Sequence, residues 1–343
     1  MQRRSAPMPG MLYHLIGDFP GKRVVAASLR DGARRCPWQW HKEGIVTEGI
    51  VTQTSDRELI AGAANPLGMD GIEFVEFSTS KPQALGQVLE MIGFHPIARH
   101  RSREVLLYRQ GDMNVIVNAH AGGQARASPP SEIPTIAAFA LRVRDAATAY
   151  RHAIDRGAWI VPSQVEVMEL NIPAIHGVGA SRIYFVDRYR DFSIYDVDFT
   201  LNPGVDAHPP ALADMHWFGL VQYIGSDRME DWTEFYETLF GFTALPDEQR
   251  YGILPKGRIL LGPCGGFHLQ LIDPKPGIFD IEPQESLQRI GFGTPDVLSA
   301  VRTLRQRGIG FVESQDVHSE ARGALTQPYL GGVMFELVHD ERR

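Results

Sequence analysis

Cysteine, basic surplus and long apolar runs are all scarce in this chain. Only two cysteines occur in 343 residues, Cys36 and Cys264. They are far apart and lie in segments of different character, so a disulfide framework is not expected and a reducing compartment fits. No apolar run approaches the roughly 18 residues that would span a bilayer. The amino terminus also lacks a compact hydrophobic core followed by a small-residue cleavage site. A formal charge of -7 gives no basic footprint for nucleic acid or an anionic membrane. A cytoplasmic protein with small-molecule or protein partners is expected. What the chain does contain is globular: 43% hydrophobic and 22% charged residues, over a length with room for two domains.

The first segment differs from the rest. Residues 1–64 carry scattered Arg, Gly, Pro and Trp without a helical or strand period long enough to build a core. They read as a poorly ordered leader. Arg3, Arg4, Arg23 and Arg30 are compatible with a transit peptide, but Pro7, Pro9, Asp18 and Pro20 interrupt an amphipathic helix. An upstream misassignment of the start codon is a further alternative.

Beyond residue 64 an internal repeat carries the architecture. Gly71 to Phe77 alternates with the strand period. A helix through Ala84, Val88 and Met91 follows, ending at Gly93, and two strands at Val105–Tyr108 and Asn114–Asn118 complete the unit. The same order returns at Gly219–Ile224, a helix through Trp232, Phe235 and Leu239, Gly241, then Ile259–Leu261 and Phe267–Ile272. A second unit type also occurs twice. Its first copy runs from Ala138–Val143 through a helix at Ala146–Arg156 to a closing strand at Ser193–Phe199. Its second runs from Arg289–Gly293 through a helix at Val297–Arg307 to a closing strand at Gly332–Val338. The expected fold is α+β, with four βαβββ modules in two tandem halves, 65–202 and 211–343, joined by a Pro-rich linker at 203–210. Sheets of such modules curl around a cavity that suits a metal or a small acid.

Several segments then point to a family. Asn65-Pro-Leu-Gly-Met69, Glu73-Phe-Val-Glu-Phe77, Tyr108-Arg-Gln-Gly111, the run from Met168 to Gly179, and Tyr184-Phe-Val-Asp-Arg188 are its signature here. Together with Ser193–Phe199 they resemble the amino-terminal half of bacterial 4-hydroxyphenylpyruvate dioxygenases, members of the vicinal oxygen chelate superfamily. The resemblance covers nearly everything from Asn65 onward and is thinner in the second half, where Phe235-Tyr-Glu237 and Phe335-Glu336 carry it. It implies tyrosine catabolism: a mononuclear non-haem Fe(II) enzyme that oxidatively decarboxylates an aryl 2-oxo acid and hydroxylates its ring to give homogentisate. It also implies a homo-oligomer, formed through an amino-terminal half that holds no metal ligand and is structural, and a closing helix that His339 to Arg343 do not match.

In the family two His and one Glu hold the iron, because imidazole and carboxylate bind iron(II) while leaving exchangeable positions. Glu336 matches the carboxylate ligand. The two His positions fall on Gly219 and Arg289, and a guanidinium has no lone pair for a metal. His216, three residues before Gly219, reaches the site only through a bulge. His268 and Gln270 share a strand face toward the cavity, with Gln270 the repeat counterpart of Glu336. His268 is a wall residue or a replacement ligand, and His318 reads as a loop residue. Arg289 and Glu336 are therefore expected to meet where iron would sit, as a charge-assisted pair or with Arg289 receiving a substrate carboxylate. Three functions remain open: the family dioxygenase or a close relative acting on another aryl 2-oxo acid, a metal-free or differently metallated enzyme using Glu336 with Arg289, His268 or Gln270, and a binding module that sequesters a small acid or regulates a partner.

Overall fold

The computed structural model describes residues 65–120, 130–162, 169–246, 257–273, 284–312 and 322–341. The leader at 1–64, Met168 and His318 lie outside the described residues. Everything described belongs to one compact unit, Gln53–Arg343.

The first module opens with β1 (Ile72–Ser78), every residue of which is buried. The strand is covered on both faces, so its polar residues Glu73, Glu76 and Ser78 are buried with the apolar ones. Helix α1 (Pro82–Ile92) follows, then β2 (His95–His100), β3 (Val105–Gln110) and β4 (Met113–Asn118). The second module comprises β5 (Thr135–Arg142), α2 (Ala146–Asp155), β6 (Ala174–His176) and β7 (Arg182–Val186), followed by the short helix α3 (Ile194–Asp198) and β8 (Phe199–Leu201). The third is β9 (His216–Tyr223), α4 (Met229–Phe240), β10 (Thr243–Ala244), β11 (Arg258–Leu261) and β12 (His268–Ile272). The fourth is β13 (Ser286–Thr294), α5 (Val297–Gln306), β14 (Gly323–Leu325) and β15 (Phe335–His339).

Each module closes in the same way, its first strand pairing in parallel with its last: β1 with β4, β5 with β7, β9 with β12 and β13 with β15. Modules join in antiparallel fashion, β1 to β5 and β9 to β13, and β5 meets β13 at Ile136 and Leu287. The fold is thus two tandem vicinal-oxygen-chelate-type halves, as the repeat implies.

Local chemistry repeats with the topology. Helices α1 and α4 end at Gly93 and Gly241, both left-handed, with φ of 110° and 74°. Glycine enters that region without a Cβ penalty, so the chain reverses there and seats the next residue, Phe94 or Phe242, in the core. Helices α2 and α5 both begin at an aspartate. Asp145 accepts from the Thr148 amide at 2.6 Å and Asp296 from the Ser299 amide at 2.9 Å, and each satisfies an amide the first helical turn would otherwise leave open.

The helices of both halves share one apolar core. Phe185 stacks near Phe240 at 6.3 Å, and Phe94 lies 5.9 Å from Phe292. A second cluster, including Phe74, Ile97, Leu107 and Phe199, fills the other face of the amino-terminal sheet.

One element departs from the sequence reading. Ser193–Phe199 is not the closing strand of the second module, which is β7. Ser193 and Asp196 form a reciprocal capping box that starts α3: the Asp196 carboxylate accepts from the Ser193 amide at 2.8 Å. Tyr195, Val197 and Phe199 alternate with Asp196 and Asp198 and mimic a strand period, but the cap wins over so short a stretch.

Candidate functional site

Strand register brings the site residues of the second half together. Leu220 of β9 lies opposite Ile290 of β13. One residue before each stand Gly219 and Arg289, and one residue after each are Val221 and Gly291, whose parallel neighbours are Gln270 and Glu336. A local twofold through Leu220 and Ile290 therefore relates Gly219 to Arg289 and Gln270 to Glu336. The two positions expected to carry histidine are thus equivalent in the fold, and they are occupied by glycine and arginine.

Both charged members are buried. Glu336 is 4% and Arg289 3% exposed. Arg289 Nε donates to Glu336 Oε2 at a long 3.4 Å, while Arg289 Nη2, also buried, has no hydrogen-bond partner among the described residues. A guanidinium fork with one side on a carboxylate and one side open is incomplete as it stands, because a buried donor without an acceptor is unfavourable by about 1–3 kcal/mol or more.

His268 lies opposite Gly219 in the parallel pair of β12 and β9. Its ring stacks on Phe218 with centroids 4.3 Å apart, and Nδ1 lies 3.3 Å from the Phe218 carbonyl oxygen. His268, Gln270 and Glu336 line a cleft of about 30 Å³, roughly the room of a water or a carboxylate group. Gly219 and Gly291 line the same cleft without adding side chains to it. His216 is not brought there. Its Nε2 lies 3.1 Å from Asp340 Oδ2, beside Gly293 at the far end of β13, and its side chain is partly exposed.

The donor set does not fit iron. Among the described residues no three His, Cys, Asp or Glu side chains cluster as metal ligands. Arg289 cannot donate a lone pair. At the other histidine position a Cβ on Gly219 would stand 2.2 Å from the His268 carbonyl oxygen, so no ligand side chain enters without moving the strands. Glu336 alone remains of the expected set, and its neighbour is a cation.

A second group of charged residues escaped the sequence reading as functional. In the amino-terminal half Glu73, 2% exposed, takes Arg142 Nε at 2.6 Å and Asn114 Nδ2 at 3.2 Å. Arg109 and Tyr195 stand beside them around a cavity of about 630 Å³. Burial disfavours the Arg142 cation, and Glu73, with Tyr195 and Asp112 adding to it, outweighs this, so its pKa is raised. Burial, with Glu73 adding to it, pushes the Tyr195 phenol well above its usual range. The available signal was the pair of carboxylates, Glu73 and Glu76, within a strand buried along its whole length.

Tandem modules of this topology, curled about a cavity, define the vicinal oxygen chelate class. Residues 63–200 match the family model for the amino-terminal part of hydroxyphenylpyruvate dioxygenase, and residues 216–337 match that of the glyoxalase, bleomycin resistance protein and dioxygenase superfamily. The chain is 36% identical over 270 residues to hemolysin VllY of Vibrio vulnificus and 34% identical over 269 residues to 4-hydroxyphenylpyruvate dioxygenase of Pseudomonas aeruginosa, each match covering 75% of both chains. It belongs to the 4-hydroxyphenylpyruvate dioxygenase family. A mutant 4-hydroxymandelate synthase from Streptomyces coelicolor shares the fold at a TM-score of 0.62 and 17% identity, covering 80% of this chain and 94% of that one.

Proposed function

We propose that this chain is an iron-independent member of its family that binds a small carboxylic acid at Arg289, with Glu336 as the proton-exchanging group. The observation that carries this reading is the open Nη2 of a buried arginine at a family ligand position. A carboxylate on Nη2 would complete the fork, and the guanidinium between the two carboxylates tempers their repulsion. Glu336, the partner of Arg289, lines a small cleft with His268 and Gln270, which would orient the acid. The cleft admits a carboxylate group and not a phenyl ring, which favours a short aliphatic 2-oxo or 2-hydroxy acid. The family reaction, oxidation of an aryl 2-oxo acid with Fe(II), is the second reading; family membership and the retained Glu336 favour it, and the donor set opposes it.

Calorimetric titration with pyruvate tests the proposal. Binding that Arg289→Met weakens about tenfold or more supports it, since a charge-assisted hydrogen bond contributes about 1.5–3 kcal/mol. Dioxygen uptake with 4-hydroxyphenylpyruvate and added Fe(II) would instead establish the second reading.

A further inference from the structure

The carboxy-terminal cleft is small because a side chain of its own first strand fills it. Gly291 of β13 lies opposite Gly219 of β9, yet the next residue, Phe292, lies opposite Trp217. Phe218 is therefore the extra residue of a β-bulge, and a bulge re-aims the side chain it inserts. Trp217 and Leu220 pack with the core shared by both halves, while Phe218 and Gly219 line the cleft in succession. A regular strand sends neighbours to opposite faces, so the bulge is what brings Phe218 to the site. The same bulge recurs in the amino-terminal half, where Glu73 is the extra residue between Ile72 and Phe74. Its side chain, too, turns to the cavity of its own half, where it meets Arg142 and Asn114.

The Phe218 ring takes the room that the body of a bound acid would need. It is buried, and it lies flat on the His268 imidazole with centroids 4.3 Å apart and planes 11° from parallel. It also covers Gly291, where a Cβ would stand 3.6 Å from Phe218 Cδ1. Glycine at 219 and 291 leaves this part of the cleft without other side chains, a sign of close approach by a neighbouring group. Here the neighbouring group is Phe218, and only about 30 Å³ remains beside Gln270 and Glu336.

We propose that Phe218 determines the specificity of this site: its ring holds the place of an aryl group on His268, so that short acids enter and aryl acids are rejected. The inference rests on the reading that a small acid binds at Arg289, and it adds the residue that limits the size of that acid. Replacing Phe218 by a small residue opens a flat slot between His268 and Gly291 that is continuous with the cleft. An apolar hole of that kind accepts a benzene ring.

The test is calorimetric titration of the full chain with pyruvate and with phenylpyruvate, which differ by a phenyl group. The parent is expected to favour pyruvate by about tenfold or more, because the phenyl group meets the Phe218 ring. Phe218→Ala is expected to reverse the preference, with phenylpyruvate gaining about tenfold or more from burial of its ring. Phe218→Val should shift the preference the same way by less, and its smaller hole keeps the test open if the alanine variant does not fold. Adding Arg289→Met to Phe218→Ala should weaken phenylpyruvate again by about tenfold, which separates an acid seated in the site from a ring lodged in a hole. Phenylpyruvate bound by the parent as tightly as pyruvate, or a preference that neither Phe218 variant shifts, would overturn this inference and leave the acid site standing. No binding of pyruvate to the parent would overturn both.

Discussion

Arg289 Nε lies 3.4 Å from Glu336 Oε2 in a setting where both side chains are at most 5% exposed. The first stands where the sequence led us to expect a histidine ligand, and the second where it led us to expect the carboxylate ligand. The carboxylate therefore faces a buried cation.

Breaking this pair from one side should be severe. Glu336→Ala leaves a buried guanidinium without its carboxylate and is expected to lower stability by about 3–5 kcal/mol, whereas Arg289→Met with Glu336→Leu should be near neutral or stabilising. Urea unfolding of the two single variants and the double variant checks this. A double variant as unstable as either single one would show that the pair is not what the two positions require.

Gly219 is expected to reject any side chain. A Cβ there meets a backbone carbonyl oxygen at 2.2 Å, so Gly219→Ala should destabilise by about 1–3 kcal/mol, and Gly219→His should not create an iron site. Thermal melts together with metal analysis measure both.

His216 should be dispensable for the site. Its partner is Asp340 in a partly exposed pair, a class of contact that contributes about 0–1 kcal/mol. His216→Ala is expected to leave pyruvate binding within error of the parent and to shift the unfolding midpoint only slightly. A loss of binding would place His216 in the site.

Alkaline titration reads the buried phenols. Burial raises Tyr195 and Tyr236 above the ordinary tyrosine range, and burial with Glu90 nearby raises Tyr108 to about 12. Above about pH 10 the unfolded chain loses these protons while the folded chain keeps them. The raised values therefore contribute stability that is complete below about pH 10 and is lost as pH rises toward the folded values. Phenolate absorbance should show these three tyrosines ionising late, together with unfolding, and Tyr195→Phe should remove one of the late group.

Much of the architecture was legible because it repeats. Gly93 and Gly241 close corresponding helices of the repeat, whereas the caps at Asp145 and Asp296 emerge only from the structure. The place of Arg289 relative to Glu336 followed from the same register. Ser193–Phe199 was misread because alternation over seven residues also fits a capped helical turn, and only the Ser193–Asp196 reciprocity separates them. The polar wall of the amino-terminal cavity was hidden for another reason. Glu73 is buried by Arg142 and Asn114, which are 69 and 41 residues away, and no local pattern carries such a partnership.

Anaerobic titration with Fe(II), followed by desalting and measurement of bound metal, tests the account at its centre. The expected result is iron far below one per chain, at a level that Glu336→Gln does not change. Stoichiometric iron in the parent chain, lost in Glu336→Gln, would contradict it.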